Sequence, residues 1–501
     1  MASEPDMYID GVPVWTAPGR PGVLTARLLI GVGMRDEAAR TAGLAHLAEH
    51  LVMRGVGRTT VEHNAQTELE ITSFWAHGSP GEVVDHLARL CMSITQLPHA
   101  DEDAVRTECD IVAAELGDAG ENPGEGPLRL RYGVRGIGLG DYGAPAHRSF
   151  TGDDVAAFAA SWMHRGNVAL QLSGELPDGL RLPLPEGTTP ERFRDEEVPH
   201  ELPAWGGTGR APVVLSFLVP SVTPGVRALA AAVLALRLRD DLRVAHGLVY
   251  HPTVELREVD ASSSLAIVGL DPLAQHAETT AIASVQLLRT LAGSGVSSGD
   301  LAFLRGAMVD AEPDDVELDA VSAARAYLRG RPFVSRATVR EQIATATAEQ
   351  VDAVLRGALD TLLVQTRTGP PDPSVLARAG IPRLVDTPAP GSTVRARVRE
   401  AKHGVGVVVR PHRNLMDPAA RLVVHTDRIV LIAPAAHREI RLDALAAVGR
   451  QLDGAYLFDG LDGGFLYLRP GVWDDTRGAL RAFLERVPEE LSYRRETSFD
   501  A

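Results

Sequence analysis

Residues Gly43–Gly55 read Gly-Leu-Ala-His-Leu-Ala-Glu-His-Leu-Val-Met-Arg-Gly. The stretch has no proline, and its leucine and valine side chains recur at helical spacing, which predicts an amphipathic α-helix. His46 and His50 are four residues apart, so they lie one turn apart on the same face, with Glu49 on that side too. Two imidazoles at this spacing can chelate one Zn²⁺, and a neighbouring carboxylate can take a proton from water that the metal activates.

The order His-x-x-Glu-His is the motif of the inverted zincins. The alternative is a pair of surface histidines beside an acid, because a five-residue pattern alone is only moderately specific. The position of the motif favours metal binding, since it lies on a strongly predicted helix that follows an apolar run, Val23–Val32, typical of a β-strand.

A catalytic zinc needs a third protein ligand and one position open to water. The stretch Asp101–Gly117 predicts a second helix, because acidic residues crowd its first turn, where the helix dipole favours them, and Gly117 can end it. Glu108 and Glu115 are seven residues apart, two turns along one face, and either could reach a metal. The alternative for both is a solvated acidic face.

Three features resemble the M16 (pitrilysin, insulinase) metallopeptidases. The segment Gly33-Met-Arg-Asp-Glu37, which leads into the histidine helix, is similar to the opening of that family. Asn64-Ala-Gln-Thr67, followed by Thr72-Ser-Phe-Trp75, resembles its Asn-Ala-x-Thr hairpin strand. The pair of glutamates on the second helix resembles its two distal glutamates, of which the second is a zinc ligand.

This resemblance implies a role for each acid and histidine. His46, His50 and Glu115 would bind zinc, and Glu49 would be the general base. Glu108 would support the site without binding the metal.

The chain departs from the family in one place. Between His50 and Glu115 there are 64 residues, fewer than is usual in the family. The missing piece falls between Gly55 and His63, which we interpret as a shortened helix that could alter the cleft wall.

A later segment, Leu242-Arg-Val-Ala-His-Gly-Leu-Val-Tyr250, resembles the family's Leu-Arg-x-x-x-Gly-x-x-Tyr type. By that resemblance Arg243 and Tyr250 would contact substrate and the developing oxyanion. Asn64 would also bind substrate, because its strand is expected to add to the peptide backbone as a sheet edge. The alternative for the pair is an arginine that ends a helix and a half-buried strand tyrosine.

The resemblance and the alternation of strands and helices predict an α+β protein. Two M16-type (LuxS/metallohydrolase-like) α+β domains would be followed by a small β-rich domain that resembles a pleckstrin-homology (PH) module. The family resemblance continues from Asp141-Tyr-Gly to Asn167–Gly174, near the end of the first domain. The predicted boundaries are 1–175 for the zinc domain, 176–212 for a linker, 213–368 for the second domain, 369–399 for a Pro-rich linker and 400–501 for the PH-like domain.

The remaining elements are predicted from periodicity and turn residues. Predicted helices are Glu82–Gln96, Thr151–Met163, Arg227–Arg239, His276–Leu291, Ser298–Asp310, Thr347–Leu362 and Trp473–Val487. Predicted strands are Val213–Val219, Ser262–Gly269, Leu422–Val424, Arg428–Ala433 and Glu439–Leu442, with hairpin turns at Asp453-Gly454 and Asp462-Gly463.

Composition limits the class of partner. The net charge of −16 argues against nucleic acid or an anionic membrane. Two cysteines cannot form a disulfide framework and fit a reducing compartment. The first residues lack the features of a signal peptide, and no apolar run of about 20 residues suggests a membrane span, so we expect a cytoplasmic protein.

These observations favour a zinc-dependent endopeptidase that acts on short or unfolded peptides. One alternative is a non-catalytic, peptide-binding or scaffold subunit of a heterodimeric peptidase, and another is a zinc enzyme of different chemistry. Family enzymes that enclose a peptide chamber use four such domains, and this chain supplies two. The resemblance therefore implies a homodimer, or a heterodimer with a related chain, in which Arg243 and Tyr250 act on the partner's zinc site.

Overall fold

The structure, a computed structural model, describes residues 4–121, 126–208, 212–311, 315–367, 373–382, 384, 393–403, 409–434, 436–474 and 476–495. Its architecture is mixed α and β, with four β-sheets in the described residues, each packed against helices or a second sheet. The predicted α+β class is therefore confirmed.

The first sheet has six strands in the order β1-β2-β6-β3-β5-β4. They are Met7–Ile9 (β1), Val12–Ala17 (β2), Leu24–Ile30 (β3), Glu62–Thr67 (β4), Thr72–Gly78 (β5) and Val168–Ser173 (β6). The helices of this part are Leu44–Val56 (α1), Pro80–Gln96 (α2), Glu102–Glu121 (α3), Pro127–Tyr132 (α4) and Gly152–Trp162 (α5). The histidine helix and the glutamate helix are thus α1 and α3, as predicted, and Gly117 interrupts α3 with a positive φ of 55°.

The second sheet has five strands in the order β7-β11-β8-β10-β9. They are Ala204–Thr208 (β7), Val213–Val219 (β8), Thr253–Glu258 (β9), Ser264–Leu270 (β10) and Leu363–Thr366 (β11). The helices are Pro224–Leu238 (α6), Ala277–Ser294 (α7), Ser298–Ala311 (α8), Val316–Leu328 (α9), Arg336–Thr345 (α10) and Ala348–Asp360 (α11). Here the predicted strands and helices are found within a few residues of their expected ends.

The two sheets share one topology. The order β6-β3-β5-β4 in the first corresponds to β11-β8-β10-β9 in the second, and all of these neighbours are antiparallel. In both sheets one further strand, β2 or β7, pairs in parallel with β6 or β11. Helix α1 in the first repeat therefore corresponds to α6 in the second, and edge strand β4 corresponds to edge strand β9.

Helix α9 joins the two repeats, although it belongs to the second in sequence. Its residues Ala320, Ala323, Ala324 and Leu328 pack against Trp15, Ala17, Leu29 and Ala169 on the first sheet. The small alanine side chains on the contact face let the helix backbone approach the sheet closely. Protein cores are packed so tightly that adding or removing a single methylene group there has a measurable effect. The repeats are thus joined by a shared hydrophobic cluster.

Two parts of the range 176–212, for which we predicted a linker, pack against neighbouring elements, while most of the described residues between them are exposed or half-buried. Leu180, Leu182 and Leu184 are buried in the core of the first repeat, and β7 is a strand of the second sheet. The Pro- and Gly-rich composition predicted an extended path, but the alternating leucines give that path an apolar side. Much of the second predicted linker, 369–399, lies outside the described residues.

The last part of the chain forms two four-stranded sheets. The first has the order β12-β13-β14-β15 and the second the order β18-β17-β16-β19. Their strands are His412–Arg413 (β12), Arg421–Val424 (β13), Arg428–Ala433 (β14), Ala436–Arg441 (β15), Leu445–Gln451 (β16), Tyr456–Gly460 (β17), Phe465–Leu468 (β18) and Ser492–Arg495 (β19). The remaining helices are Pro373–Ala379 (α12), Val394–Ala401 (α13) and Arg477–Leu484 (α14).

Two details of this part test the sequence predictions. Both predicted hairpin turns are confirmed, with Gly454 and Gly463 at positive φ values of 80° and 84°. The predicted closing helix Trp473–Val487 lies at the right place but is too long, because α14 spans only eight of those residues, and it is not the last element, because β19 follows it. The buried side chains of β19 are Tyr493 and Arg495. Because one of the two is an arginine, the sequence lacks the alternation of apolar and polar residues that would have predicted a strand here.

We predict that Leu328→Ala lowers the free energy of unfolding by about 2–4 kcal/mol, because it leaves a cavity between α9 and the first sheet. Urea unfolding followed by tryptophan fluorescence would measure this. The matched control is Leu318→Ala on the same helix, where the side chain is 38% exposed, and a loss below about 1 kcal/mol is expected. Equal losses in the two variants would contradict the packing role of α9.

Candidate metal centre

The first turn of α1 is held by a buried carboxylate. Glu37 accepts hydrogen bonds from the backbone N–H groups of Gly43, at 2.8 Å, and Ala45, at 2.6 Å. Burial raises the pKa of Glu37 to about 8, while the backbone hydrogen bonds oppose that rise. Gly43 has a φ of +96°, and a Cβ there would lie 2.6 Å from the Cβ of Ala144. Glycine is therefore required where the chain turns into the helix.

The side chains of His46 and His50 lie together on one face of α1. Their ring centroids are 4.8 Å apart, with the ring planes inclined at 80°. The Nε2 atoms lie 3.7 Å (His46) and 3.3 Å (His50) from the same Oε2 of Glu115 on α3. Helices α1 and α3 thus bring the three predicted zinc ligands together.

The donor set fits a zinc ion. One ligand atom from each of His46, His50 and Glu115 lies within 4.8 Å of the other two, and no second group of this kind occurs in the described part of the chain. Two imidazole nitrogens and one carboxylate oxygen form a known donor set of catalytic zinc, which keeps a further position for water. Burial, with a smaller effect of His50, lowers the pKa of His46 and so favours the neutral imidazole that a metal binds.

Glu49 is held beside this cluster. Its side chain is 8% exposed, and its Oε2 accepts a hydrogen bond of 2.7 Å from the hydroxyl of Thr67 on β4. Burial raises the pKa of Glu49, and the Thr67 hydrogen bond opposes the rise. A carboxylate with a raised pKa is a better proton acceptor, which is what a general base requires.

Among the described residues, the contact of Glu108 with the centre is made through His50. Its Oε2 lies 3.3 Å from Nδ1 of His50, and its Oε1 accepts a hydrogen bond of 2.9 Å from Arg54. If Nδ1 of His50 carries a proton directed at Glu108, the Nε2 lone pair faces Glu115. Metal-binding histidines are commonly oriented in this way by a hydrogen bond from their other ring nitrogen. Glu108 therefore orients a ligand, and Arg54 compensates its charge.

Asn64 lies on β4, the exposed edge of the first sheet. Its backbone pairs with Trp75 of β5 on one side, and its side-chain oxygen accepts a hydrogen bond from the backbone N–H of Ala65. The side chains of β4 alternate between exposed and half-buried positions. An edge strand of this kind can pair with an extended peptide.

Arg243 and Tyr250 contact each other and lie apart from the histidine cluster. Arg243 lies in a π-helical segment, Arg239–Ala245, and its guanidinium carbon is 5.1 Å from the Tyr250 ring centroid. Tyr250 is 74% exposed and precedes β9, so the alternative of a half-buried strand tyrosine is wrong. Within the described residues, no hydrogen bond, ion pair or ring contact joins either side chain to the metal centre.

The sequence alone did not predict the roles of two residues that orient the site. Glu37 and Thr67 both lie in the segments that carry the family resemblance, but their roles depend on contacts across the fold. For Thr67 the available signal was its place at the end of β4, opposite Thr72 in the hairpin. For Glu37 it was an acid just before the first turn of a predicted helix, where exposed N–H groups favour a carboxylate.

Comparison with solved structures identifies the fold. The inactive domain of an M16 peptidase from Pseudomonas fluorescens has a TM-score of 0.58 at 14% identity, covering 73% of this chain and 97% of that one. A protease from Helicobacter pylori has a TM-score of 0.57 at 18% identity, covering 71% and 96%. A putative M16-like peptidase from Alicyclobacillus acidocaldarius has a TM-score of 0.54 at 17% identity, covering 72% and 96%.

The chain thus has the fold of M16 peptidases. No protein-family model and no curated protein matches the sequence. One of the similar structures is an inactive domain, so the fold occurs without activity as well as with it. Of the helices that the structure describes, none is long and apolar enough to cross a membrane.

We predict that Glu37→Gln lowers the free energy of unfolding by about 1–3 kcal/mol, because the amide nitrogen would face a backbone N–H group and leave it without an acceptor. Chemical denaturation of the metal-free variant would measure the loss. Glu341→Gln is the matched control, because this glutamate is exposed on α10. An unchanged stability for Glu37→Gln would remove Glu37 from its anchoring role.

Proposed function

We propose that this chain is a zinc-dependent endopeptidase of the M16 type that cleaves short or unfolded peptides. The observation that carries the proposal is the convergence of His46, His50 and Glu115 from two helices, with a buried Glu49 beside them. The alternative for Glu115 was a place on a solvated acidic face of α3. On such a face the carboxylate of Glu115 would point to solvent and not at two imidazoles of another helix.

Each residue has a separate part in the proposed reaction. His46, His50 and Glu115 would hold zinc, which supplies a Lewis acid that acidifies water and polarises a peptide carbonyl. Glu49, oriented by the Thr67 hydroxyl, would accept a proton from the attacking water and pass it to the leaving amine.

Substrate would bind along the edge of the first sheet. The backbone of an extended peptide would pair with β4, so that main-chain hydrogen bonds supply affinity and sequence preference stays loose. This position lies next to the catalytic groups, because β4 also carries Thr67, the hydrogen-bond partner of Glu49. Asn64, exposed on the same strand, would contact the bound peptide.

Arg243 and Tyr250 would stabilise the carbonyl oxygen as negative charge develops on it. Their separation from the histidine cluster in the described chain agrees with an arrangement in which they serve the partner's zinc site. A homodimer, or a heterodimer with a related chain, would supply that arrangement, and a twofold dimer is the commonest closed assembly.

We assign residues 1–175 to the zinc domain, 213–368 to the second domain and 400–501 to a PH-like domain. The last domain would serve packing or protein docking, a role supported by its buried contact with the first domain. Arg129 on α4 and Asp459 on β17 pair at 3.0 Å with almost no exposed surface.

The second candidate function is a non-catalytic, peptide-binding subunit of a heterodimeric peptidase. The observation that favours it is the likeness to an inactive M16 domain. Cleavage of a quenched fluorescent peptide by the purified protein, with and without a chelator, separates the two. Chelator-sensitive cleavage supports the peptidase, and peptide binding without cleavage by the metal-loaded chain supports the subunit.

We predict that Glu49→Gln keeps one tightly bound zinc per chain but abolishes peptide cleavage, because an amide has the shape of the carboxylate and cannot accept the proton. His46→Ala or His50→Ala should instead lose this tightly bound zinc, since too few protein ligands remain. Metal analysis and the peptide assay check both statements, with Glu175→Gln as an exposed control. Wild-type turnover by zinc-loaded Glu49→Gln, or retention of the tightly bound zinc in either histidine variant, would overturn the assignment.

We further predict complementation between two inactive variants. If Tyr250 acts on the partner's zinc site, a mixed dimer of Glu49→Gln and Tyr250→Phe chains contains one site with both groups intact. Random exchange of equal amounts should restore about a quarter of the wild-type sites, because half of the dimers are mixed. A mixture that stays inactive although mixed dimers form, or an active enzyme that is strictly monomeric, would contradict action in trans.

A further inference from the structure

A second pair of histidines, His63 and His86, lies outside the metal centre. His63 is on edge strand β4 and His86 is on α2, and their ring centroids are 5.0 Å apart with the planes inclined at 46°. Two imidazoles on one tetrahedral zinc, each at a Zn–N distance of about 2.1 Å, have centroids about 5 Å apart. The spacing of the pair therefore fits a shared metal ion.

His86 has no hydrogen-bond partner for either ring nitrogen, although it is only 1% exposed. A buried polar group without a partner costs roughly 1–3 kcal/mol, so native structures usually provide one. Burial lowers the pKa of His86 to about 4, with smaller effects from His63 and Arg89, and the ring is therefore neutral at pH 7. A neutral imidazole offers a lone pair to a metal.

For His63, a hydrogen bond shows which ring nitrogen carries the proton. Its Nδ1 lies 2.9 Å from the backbone oxygen of Val61. Since a carbonyl can only accept, this contact places the proton on Nδ1 and leaves the Nε2 lone pair available. Both histidines are thus in the form that metals bind.

The pair lies beside a depression of about 280 Å³ between the connection from α1 to β4 and helix α2. Its lining includes His86 and the carboxylates of Glu82 and Asp85, together with Arg89, whose side chain donates to the backbone oxygen of Arg58 at 3.0 Å. Glu82 already accepts from Ser79 and Thr60, whereas Asp85 is exposed. This depression lies where the chain is shorter than M16 sequences usually are.

We propose that His63 and His86 form a second zinc site, which joins edge strand β4 to helix α2. Water and the exposed carboxylate of Asp85 are available to complete the coordination. The site is weaker than the centre formed by His46, His50 and Glu115, because it has two protein imidazoles in place of three converging ligands. It goes beyond the proposed peptidase activity, since it would form whether or not the chain cleaves peptides.

Zinc titration tests the proposal, with Co²⁺ absorption as a probe of tetrahedral coordination. The wild-type chain should bind one tight and one weaker equivalent, and His46→Ala should keep only the weaker one. His63→Gln and His86→Phe should each lose the weaker equivalent and keep the tight one. Because His63 is half-buried on an edge strand, its variant keeps the test valid if His86→Phe fails to fold.

The matched control is His164→Phe. This histidine is also 1% exposed, and its Nδ1 also has no hydrogen-bond partner, but in the described residues it makes no ring contact with another histidine. It should keep both equivalents. Saturation of the wild-type chain at one equivalent, or survival of the second in His63→Gln, would overturn the proposal.

Hydrogen exchange tests the link between β4 and α2. If the ion must leave before β4 detaches from both β5 and α2, zinc at 100 times the dissociation constant should lower the population of the detached state, and with it the rate of hydrogen exchange, about a hundredfold. The protection should appear in the amides of Glu62–Thr67 and vanish in His63→Gln. Unchanged exchange of β4 at full occupancy of the second site would contradict the link.

Discussion

Two adjacent acidic residues, Asp36 and Glu37, connect the histidine helix α1 to the second repeat of the fold. Asp36 is 1% exposed and pairs at 2.8 Å with Arg329, which directly follows α9. Glu37 holds the first turn of α1 through two backbone N–H groups. Burial raises the pKa of Asp36, and the charge of Arg329 opposes that rise. Removing one partner of such a buried pair leaves a charge without compensation. The direction of α1 therefore depends on contacts from both repeats.

The two repeats share a topology but carry different candidate functional residues. Helix α6 occupies the place of α1, but it carries no His-x-x-Glu-His motif and cannot form a second centre of the same kind. Instead α6 continues into a π-helical segment that carries Arg243, and Tyr250 follows just before β9. Edge strand β9 corresponds to β4 of the first repeat. The candidate metal ligands His46 and His50 lie within α1, whereas Arg243 and Tyr250 lie beyond the end of α6, so the two repeats carry their candidate residues at different positions.

The sequence predicted local elements well because their signals are local. Helices α1 and α3 follow from the spacing of apolar residues, and the shared face of the candidate ligands His46 and His50 follows from α1 alone. The placement of α9 could not be predicted in this way, because its contact face consists mainly of alanine and its partner is a distant sheet. The contact between Thr67 and Glu49 likewise joins a strand to a helix, and no periodicity reports it.

A buried polar contact attaches the last domain to the first repeat. This contact specifies the geometry of the attachment more than it adds to its stability. Asp459 is fully buried, pairs with Arg129 and accepts a hydrogen bond of 2.9 Å from Tyr142. A buried ion pair adds little net stability, because desolvation offsets most of its attraction, but a misplaced partner is costly. Apolar residues such as Ala447 and Tyr493 supply the packing around it. Residues 400–501 contain 14 basic and 15 acidic side chains, so nearly all of the net charge of −16 resides in the rest of the chain. Long-range attraction between a nearly neutral domain and an acidic one is weak, and the position of this domain must therefore be set by the buried contacts themselves.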